Sequence, residues 1–235
     1  MFNTENRFDP TYRSVDEEVG LQRFMLGVYG YMAGGLAMTG AVGYAAAASG
    51  LYAAIAGTPL FWVVILAPLA VVLLLGSAVG SMSSVAAQVT FWIYAALNGL
   101  SLSAIFIVYT GASIVGTFFA AGATFAVMSV VGYVTRIDLT RFGPLLLMGL
   151  VGIIIADLVN FFLKSSSMQF AVSLIAIALF VGLTAFDTQR IKAMYRDRAD
   201  LGMAKNAIMG ALSLYLDFLN LFMLFLQFAG NRRRR

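Results

Sequence analysis

Seven long apolar runs, joined by short polar links, dictate what this chain can fold into. They cover about residues 24–49, 59–80, 85–109, 112–134, 144–163, 168–190 and 207–228. At ~1.5 Å per residue, each run as a helix crosses, or nearly crosses, the ~30 Å hydrocarbon layer of a bilayer. Strands would need alternating polarity, and the runs show none. Of the 235 residues, 61% are hydrophobic and 11% charged, whereas a soluble domain carries ~25% charge. The expected fold is therefore all-α and polytopic. A polar N-terminal tail (1–23) precedes one seven-helix membrane domain (24–230) and a basic C-terminal tail (231–235). The polar tail lacks the apolar region of a secretory signal, and Val15, Val19 and Leu21 with Asp16, Glu17 and Glu18 predict a short surface helix there. Pro59 suits a first helical turn, and Pro68 should kink the second run. Glycines four residues apart, Gly30 with Gly34 and Gly76 with Gly80, permit close helix contact.

The chain has no cysteine and no histidine. Disulfides, thiolate chemistry, the usual zinc ligands and the histidine-based catalytic arrangements are excluded. So is the common side-chain switch near neutral pH, which leaves carboxylates as the only proton sensors. No enzymatic activity and no resident cofactor are expected. The net charge of +4 sits in loops and ends, and nothing in it points to nucleic acid. With a cytoplasmic N-terminus, the inner side holds ten basic residues: Arg7, Arg13, Arg23, Arg136, Arg141, Arg190, Lys192, Arg196, Arg198 and Lys205. The outer side holds Lys164 and Arg232 to Arg235. The excess inside favours that orientation, which places the chain in the plasma (inner) membrane if the source is bacterial. The four terminal arginines fit poorly outside, so a re-entrant last segment stands as the alternative to seven full crossings. Those arginines would suit anionic lipid head groups.

Two acids stand out. Asp187 and Asp217 lie fifteen residues on either side of Gly202. A helical hairpin folded around Gly202 would put both carboxyl groups at one depth. Acids inside a membrane are costly and mark functional sites by default. Two carboxylates at one level in a low-dielectric site cannot both ionise cheaply, so they would share a proton and titrate as a pair. Deprotonated, Asp187 and Asp217 would offer oxygens to a hard cation such as calcium, with Asn220, one turn from Asp217, adding a carbonyl. Against this stands plain ion pairing, live for Asp187 because Arg190 is three residues on. Asp157 and Asn160 share a face of the fifth segment in its outer half. They would line the outer part of a polar path, or Asp157 would make an interhelical hydrogen bond. Asn98 reads as helix–helix glue.

Three blocks of sequence resemble the transmembrane Bax inhibitor motif family, in its bacterial branch. The first runs from Gly99-Leu100-Ser101-Leu102-Ser103 through Tyr109-Thr110-Gly111-Ala112-Ser113-Ile114. The second holds Met128-Ser129, Gly132-Tyr133 and Thr135-Arg136-Ile137-Asp138-Leu139. The third pairs Phe186-Asp187-Thr188-Gln189-Arg190-Ile191-Lys192 with Ala211-Leu212-Ser213-Leu214-Tyr215-Leu216-Asp217-Phe218. The resemblance implies seven helices, six of them around the last, and a pH-sensitive calcium leak with a paired-aspartate sensor near the cytoplasmic mouth. Asp187 and Asp217 fall on the sensor positions. The bacterial branch can latch this pair with an arginine of the second helix, and residues 59–80 contain no arginine or lysine. Arg190, Arg136 or Arg141 would have to replace it.

The expected function is a calcium-permeable leak channel gated by protonation of Asp187 and Asp217, with the lipid bilayer and calcium as its partners. The alternative is a membrane regulator that binds another membrane protein, a protease or a death-pathway protein, without transport. An intramembrane aspartyl protease is disfavoured, because Tyr215 and Leu216 stand where such enzymes carry Gly-x-Gly before the second aspartate.

Overall fold

The computed structural model describes residues 10–196 and 202–233. Nine α-helices are defined among them: α1 (Pro10–Ala48), α2 (Leu51–Ala56), α3 (Leu60–Ala78), α4 (Ser84–Leu102), α5 (Ala104–Val108), α6 (Gly111–Val134), α7 (Gly143–Leu163), α8 (Ser166–Arg196) and α9 (Met203–Ala229). Seven spans are long and apolar enough to cross a membrane, with α4 and α5 forming one of them. No strand is present among the described residues, only an isolated bridge between Tyr109 and Arg232.

Local chemistry sets the ends. Ser83 accepts a hydrogen bond from the Ala86 amide to start α4, and Thr110 accepts from the Ser113 amide to start α6. Pro144 occupies the first turn of α7. Gly202, at φ +80°, turns the chain into α9, a backbone region where a side chain would be strained. Pro68 sits inside one continuous α3. The third run is interrupted at Ser103, whose hydroxyl bonds back to the Leu100 carbonyl.

Two helices outrun their expected limits. α1 begins at Pro10 instead of near residue 24, because Leu21, Phe24, Met25, Val28 and Met32 form one buried stripe across the polar boundary. α8 continues to Arg196, with Ile191 and Tyr195 buried on one face while Arg190 is exposed on another. Charge ends the apolar run there, but amphipathic pairing prolongs the helix.

The core lies around α9, the most buried of the spans. It packs chiefly against α1, α4, α6 and α8, while α3 packs on α4 and α7 on α8. Four helices thus hold the last one closely, with two more outside them. α9 starts beside the end of α3, where Lys205 Nζ donates to the carbonyls of Val79 (3.3 Å) and Gly80 (3.1 Å). It finishes beside the α5–α6 link, where the Thr110 amide donates to Asn231 O (3.1 Å) and the Arg233 amide to Val108 O (2.9 Å). These two places are opposite ends of the α4–α5 span, so the last segment runs the full height of the bundle and does not re-enter. The N-terminal end of the bundle also carries the 79–83 and 135–142 links.

Candidate functional site

Asp187 on α8, two residues from Gln189, meets Asp217 midway along α9. Their carboxyl groups are close enough to interact both as charges and as hydrogen-bond partners. Asp217 is 4% exposed, and Asp187 is half-buried. Asp217 Oδ2 is fully buried and has no donor to accept from. An orphaned buried acceptor is costly. A single proton held between the two carboxyl groups would supply the missing donor.

Close helix contact brings the acids together. A Cβ on Gly132 of α6 would lie 2.2 Å from the Ala185 carbonyl oxygen of α8, and one on Gly210 of α9 would lie 3.0 Å from Ile191 Cγ2. Absent side chains therefore seat α8 against both neighbours, within one turn of Asp187 on either side.

Hydroxyl groups tie the same region together. The Tyr29 hydroxyl of α1 bonds Ser129 Oγ of α6, which lies 3.0 Å from Thr188 Oγ1 of α8. Thr188 donates in turn to the Thr184 carbonyl at 2.8 Å. On the other side of α9, the Tyr215 hydroxyl is 2.7 Å from Thr39 Oγ1, which also reaches the carbonyls of Gly35 (2.9 Å) and Ala95 (2.8 Å). Below the pair, Gln189 clamps the 135–142 link: its Nε2 donates to Ile137 O (2.8 Å) and its Oε1 accepts from the Leu139 amide (2.7 Å). Sequence reasoning gave these side chains no role, although Ser129, Thr188, Gln189 and Tyr215 stand in the blocks that carry the family resemblance. The spacing of Thr184 and Thr188, one helical turn apart in an apolar run, was the available signal.

Of the three arginines considered as a latch, only Arg190 acts on the pair, through its charge on Asp187. Arg190 is exposed. Arg136 and Arg141 are exposed in the 135–142 link, and the charge of Arg141 acts on Asp138. There Asp138 accepts from the hydroxyl and the amide of Thr140, which with Arg141 hold its carboxyl below the usual aspartate range.

The other expected ligands lie elsewhere. Asn220 is exposed, and its Nδ2 donates to the Leu216 carbonyl at 2.9 Å. Three positions at ~100° each leave it about 60° round the helix from Asp217, which is enough to carry it from the buried face to the exposed one. Asn160 is buried, but it braces the α7–α8 turn: Nδ2 donates to Gln169 Oε1 (2.8 Å) and Oδ1 accepts from the Ser165 amide (3.0 Å). Asp157 is exposed on the outer helix α7 and lines a concavity of about 610 Å³ with Asn160, Lys164 and Gln227. This concavity is at the opposite end of the bundle from the acid pair. Among the described residues, no group of three or more acids, histidines or cysteines is arranged to hold a metal. Two carboxylates fall short of the roughly six to eight oxygens that calcium takes.

Comparison with known proteins places this arrangement in context. A family profile described as inhibitor of apoptosis-promoting Bax1 matches residues 21–234. The Rickettsia prowazekii protein RP147 is 46% identical over 236 residues, spanning 99% of this chain and 100% of its own. The inner membrane protein YbhL of Escherichia coli K12 is 44% identical over 235 residues, covering 97% of this chain and 100% of its own. A membrane protein of Streptococcus pyogenes is 31% identical over 218 residues, or 91% of this chain and 94% of its own.

Proposed function

This chain belongs to the Bax inhibitor-1-like family of membrane proteins, and from that premise we propose that it is a calcium-permeable leak channel gated by protonation of Asp187 and Asp217. The observation that carries the reading is the buried Asp217 oxygen, partnerless beside a second carboxyl group. With one proton between them, the two groups hold α8 and α9 together through a hydrogen bond. With that proton lost, two negative charges face each other across the same contact. At ~4 Å and an effective dielectric constant of ~20, such repulsion is about 4 kcal/mol. A few kcal/mol is the bias that a two-state gate needs. Arg190, three residues from Asp187, offers the deprotonated state an alternative partner, as a swing of its side chain into the pair would do. Calcium is the cargo in this reading, and the protein carries out no chemistry on it. The excess of basic residues at the N-terminal end supports a cytoplasmic N-terminus, in the inner membrane of a bacterial cell.

The test is calcium flux into liposomes that contain the purified protein, measured at acidic and at alkaline pH. The wild type responds to pH, and Asp187→Asn and Asp217→Asn do not. Wild-type pH dependence in both variants refutes the gating role. The family's description as an inhibitor of apoptosis-promoting Bax1 favours a second reading, a membrane regulator that binds another protein without transport. A stoichiometric membrane-protein partner, together with no flux from pure protein, selects that reading.

A further inference from the structure

The buried residues of α9 do not go all the way round it. Counted at ~100° per residue from Ser213, they fall between ~40° (Asp217) and ~260° (Leu212). Within that arc α9 meets its neighbours. Gly210 and Asp217 face Ile191 and Asp187 of α8, Phe218 and Phe222 face Phe118 of α6, and Tyr215 faces Thr39 of α1 and Tyr94 of α4. The remaining sector, ~140° wide, lies between α8 and α4, a helix pair that does not pack closely. The end of α3 reaches this sector on one side, where Lys205 donates to the carbonyls of Val79 and Gly80. On the other side α7 reaches it, where Gln227 shares a concavity with Asp157. α9 is thus the floor of a cleft.

A polar row runs along that floor. Asn206, Ser213, Asn220 and Gln227 recur every seven residues. This spacing sets them within ~60° of arc and over ~31 Å of rise, the thickness of the hydrocarbon layer. With Lys205, they are all the polar side chains of α9 apart from Tyr215 and Asp217. Asn220 and Gln227 are exposed, and Asn206 and Ser213 are half-buried. Asn220 Nδ2 turns back to the Leu216 carbonyl. Among the described residues, the other three side chains have no hydrogen-bond partner. The outer surface of the bundle is different in kind: α7 exposes Leu147, Val151, Ile154 and Leu158. Amide and hydroxyl groups without partners are costly against hydrocarbon, and polar side chains in a span belong in a bundle interior or a water-filled cavity. Water also has an entrance. At Gln227 the cleft opens into the concavity of about 610 Å³ lined by Asp157, Lys164 and Gln169. The row then passes the acid pair, with Ser213 one turn before Asp217 and Asn220 one turn after it.

We propose that this cleft is filled with water through the hydrocarbon layer and carries cations, the side-chain oxygens of Gln227, Asn220, Ser213 and Asn206 replacing part of the hydration shell in turn. The cation route rests on the channel reading, whereas the water does not. Asn220, turned away from the acid pair, is then a ligand of the path and not of the gate.

The chain has no cysteine, so one introduced thiol is the only thiol present. Ser213→Cys and Asn220→Cys place it mid-span on the row. Ile154→Cys on lipid-exposed α7 and Leu214→Cys in the core are the references. The full chain in liposomes is treated with a membrane-impermeant, positively charged methanethiosulfonate. The reagent needs the thiolate, which forms poorly in apolar surroundings, so both row positions should react at least about tenfold faster than both references. Rates no higher than the references overturn the proposal, whether lipid or another helix covers the row. Either row position suffices if the other variant fails to fold. Calcium flux is then compared for each row variant before and after labelling, which holds the fold constant. The added positive charge in the path should cut flux at least about fivefold. Flux unchanged by complete labelling overturns the cation route and leaves the channel reading standing. No flux from the wild type at any pH refutes the channel reading and the cation route with it, and the labelling rates still decide for or against the water.

Discussion

Gly132→Ala tests the claim that missing side chains bring the acid-bearing helix into place. The added Cβ would stand 2.2 Å from Ala185 O and 2.8 Å from both Ala185 C and Ala185 Cα. These are backbone atoms of α8, so no side chain can swing aside to relieve the clash. Ordinary van der Waals contact begins at 3.4 Å. α6 and α8 must therefore part locally by about 1 Å, and overpacking of this kind costs ~1–3 kcal/mol. The Ser129–Thr188 bond, 3.0 Å long, lies three residues from the clash on both helices. A further separation of ~1 Å takes it beyond hydrogen-bond range, adding about 1 kcal/mol. The total, ~2–4 kcal/mol, lowers the folded-to-unfolded ratio by roughly 30-fold or more. Unfolding in mixed micelles, titrated with denaturing detergent and followed by tryptophan fluorescence, measures it. Gly152→Ala on α7 is the control, because nothing lies within 4 Å of its Cβ position and alanine is the better helix former by up to ~1 kcal/mol. Equal stability of the two variants would refute the argument that Gly132 sets the α6–α8 distance.

Other predictions rest on single side chains. Thr39→Val removes a hydroxyl that reaches two carbonyls and Tyr215, leaving the buried Tyr215 hydroxyl without it, and should destabilise the bundle by ~1–3 kcal/mol; Tyr215→Phe, which leaves Thr39 its carbonyls, should cost about 1 kcal/mol in the same assay. Gln189→Leu loses both bonds to the 135–142 link, so the Leu139 amide should exchange with solvent about tenfold faster by hydrogen-exchange mass spectrometry, an opening cost of ~1.4 kcal/mol. Asp138 has its carboxyl lowered by Thr140, then by Arg141. Its contribution to the turn is therefore complete above the ordinary aspartate value of 3.8 and fades as pH falls through the lower folded value. Protection of the Thr140 amide, followed by NMR on acidification, should hold down to that range and then drop. Asp138→Asn should keep a reduced protection that does not change with pH.

The seven spans were legible because lipid contact forces long apolar runs, and hydrocarbon thickness forces their length. The meeting of Asp187 and Asp217 was also legible. Equal spacing about Gly202 fixes their level, and the hairpin does the rest. Spacing alone does not fix which way a side chain turns. Asn220 shares a turn with Asp217 yet faces outward, and Asn160 serves a loop instead of a polar path. The hydroxyl groups of Tyr29, Ser129 and Thr188 come from three helices far apart in the chain. In sequence, each is one small polar group among many, and only tertiary contact turns them into a row. The latch question has the same origin. Arg136 and Arg141 share an end of the bundle with the pair, but the short link that bears them directs Arg141 toward Asp138.

The most enclosed helix of this bundle comes after the other six spans in the chain. While the earlier spans are already in the membrane, α9 and its acid are still being translated, and the surfaces of α1, α4, α6 and α8 that will receive it have only lipid or each other to touch. Asp217 therefore reaches its place after the helices that enclose it have been made. A chain stopped before Gly202 would leave Asp187 without its partner carboxyl group.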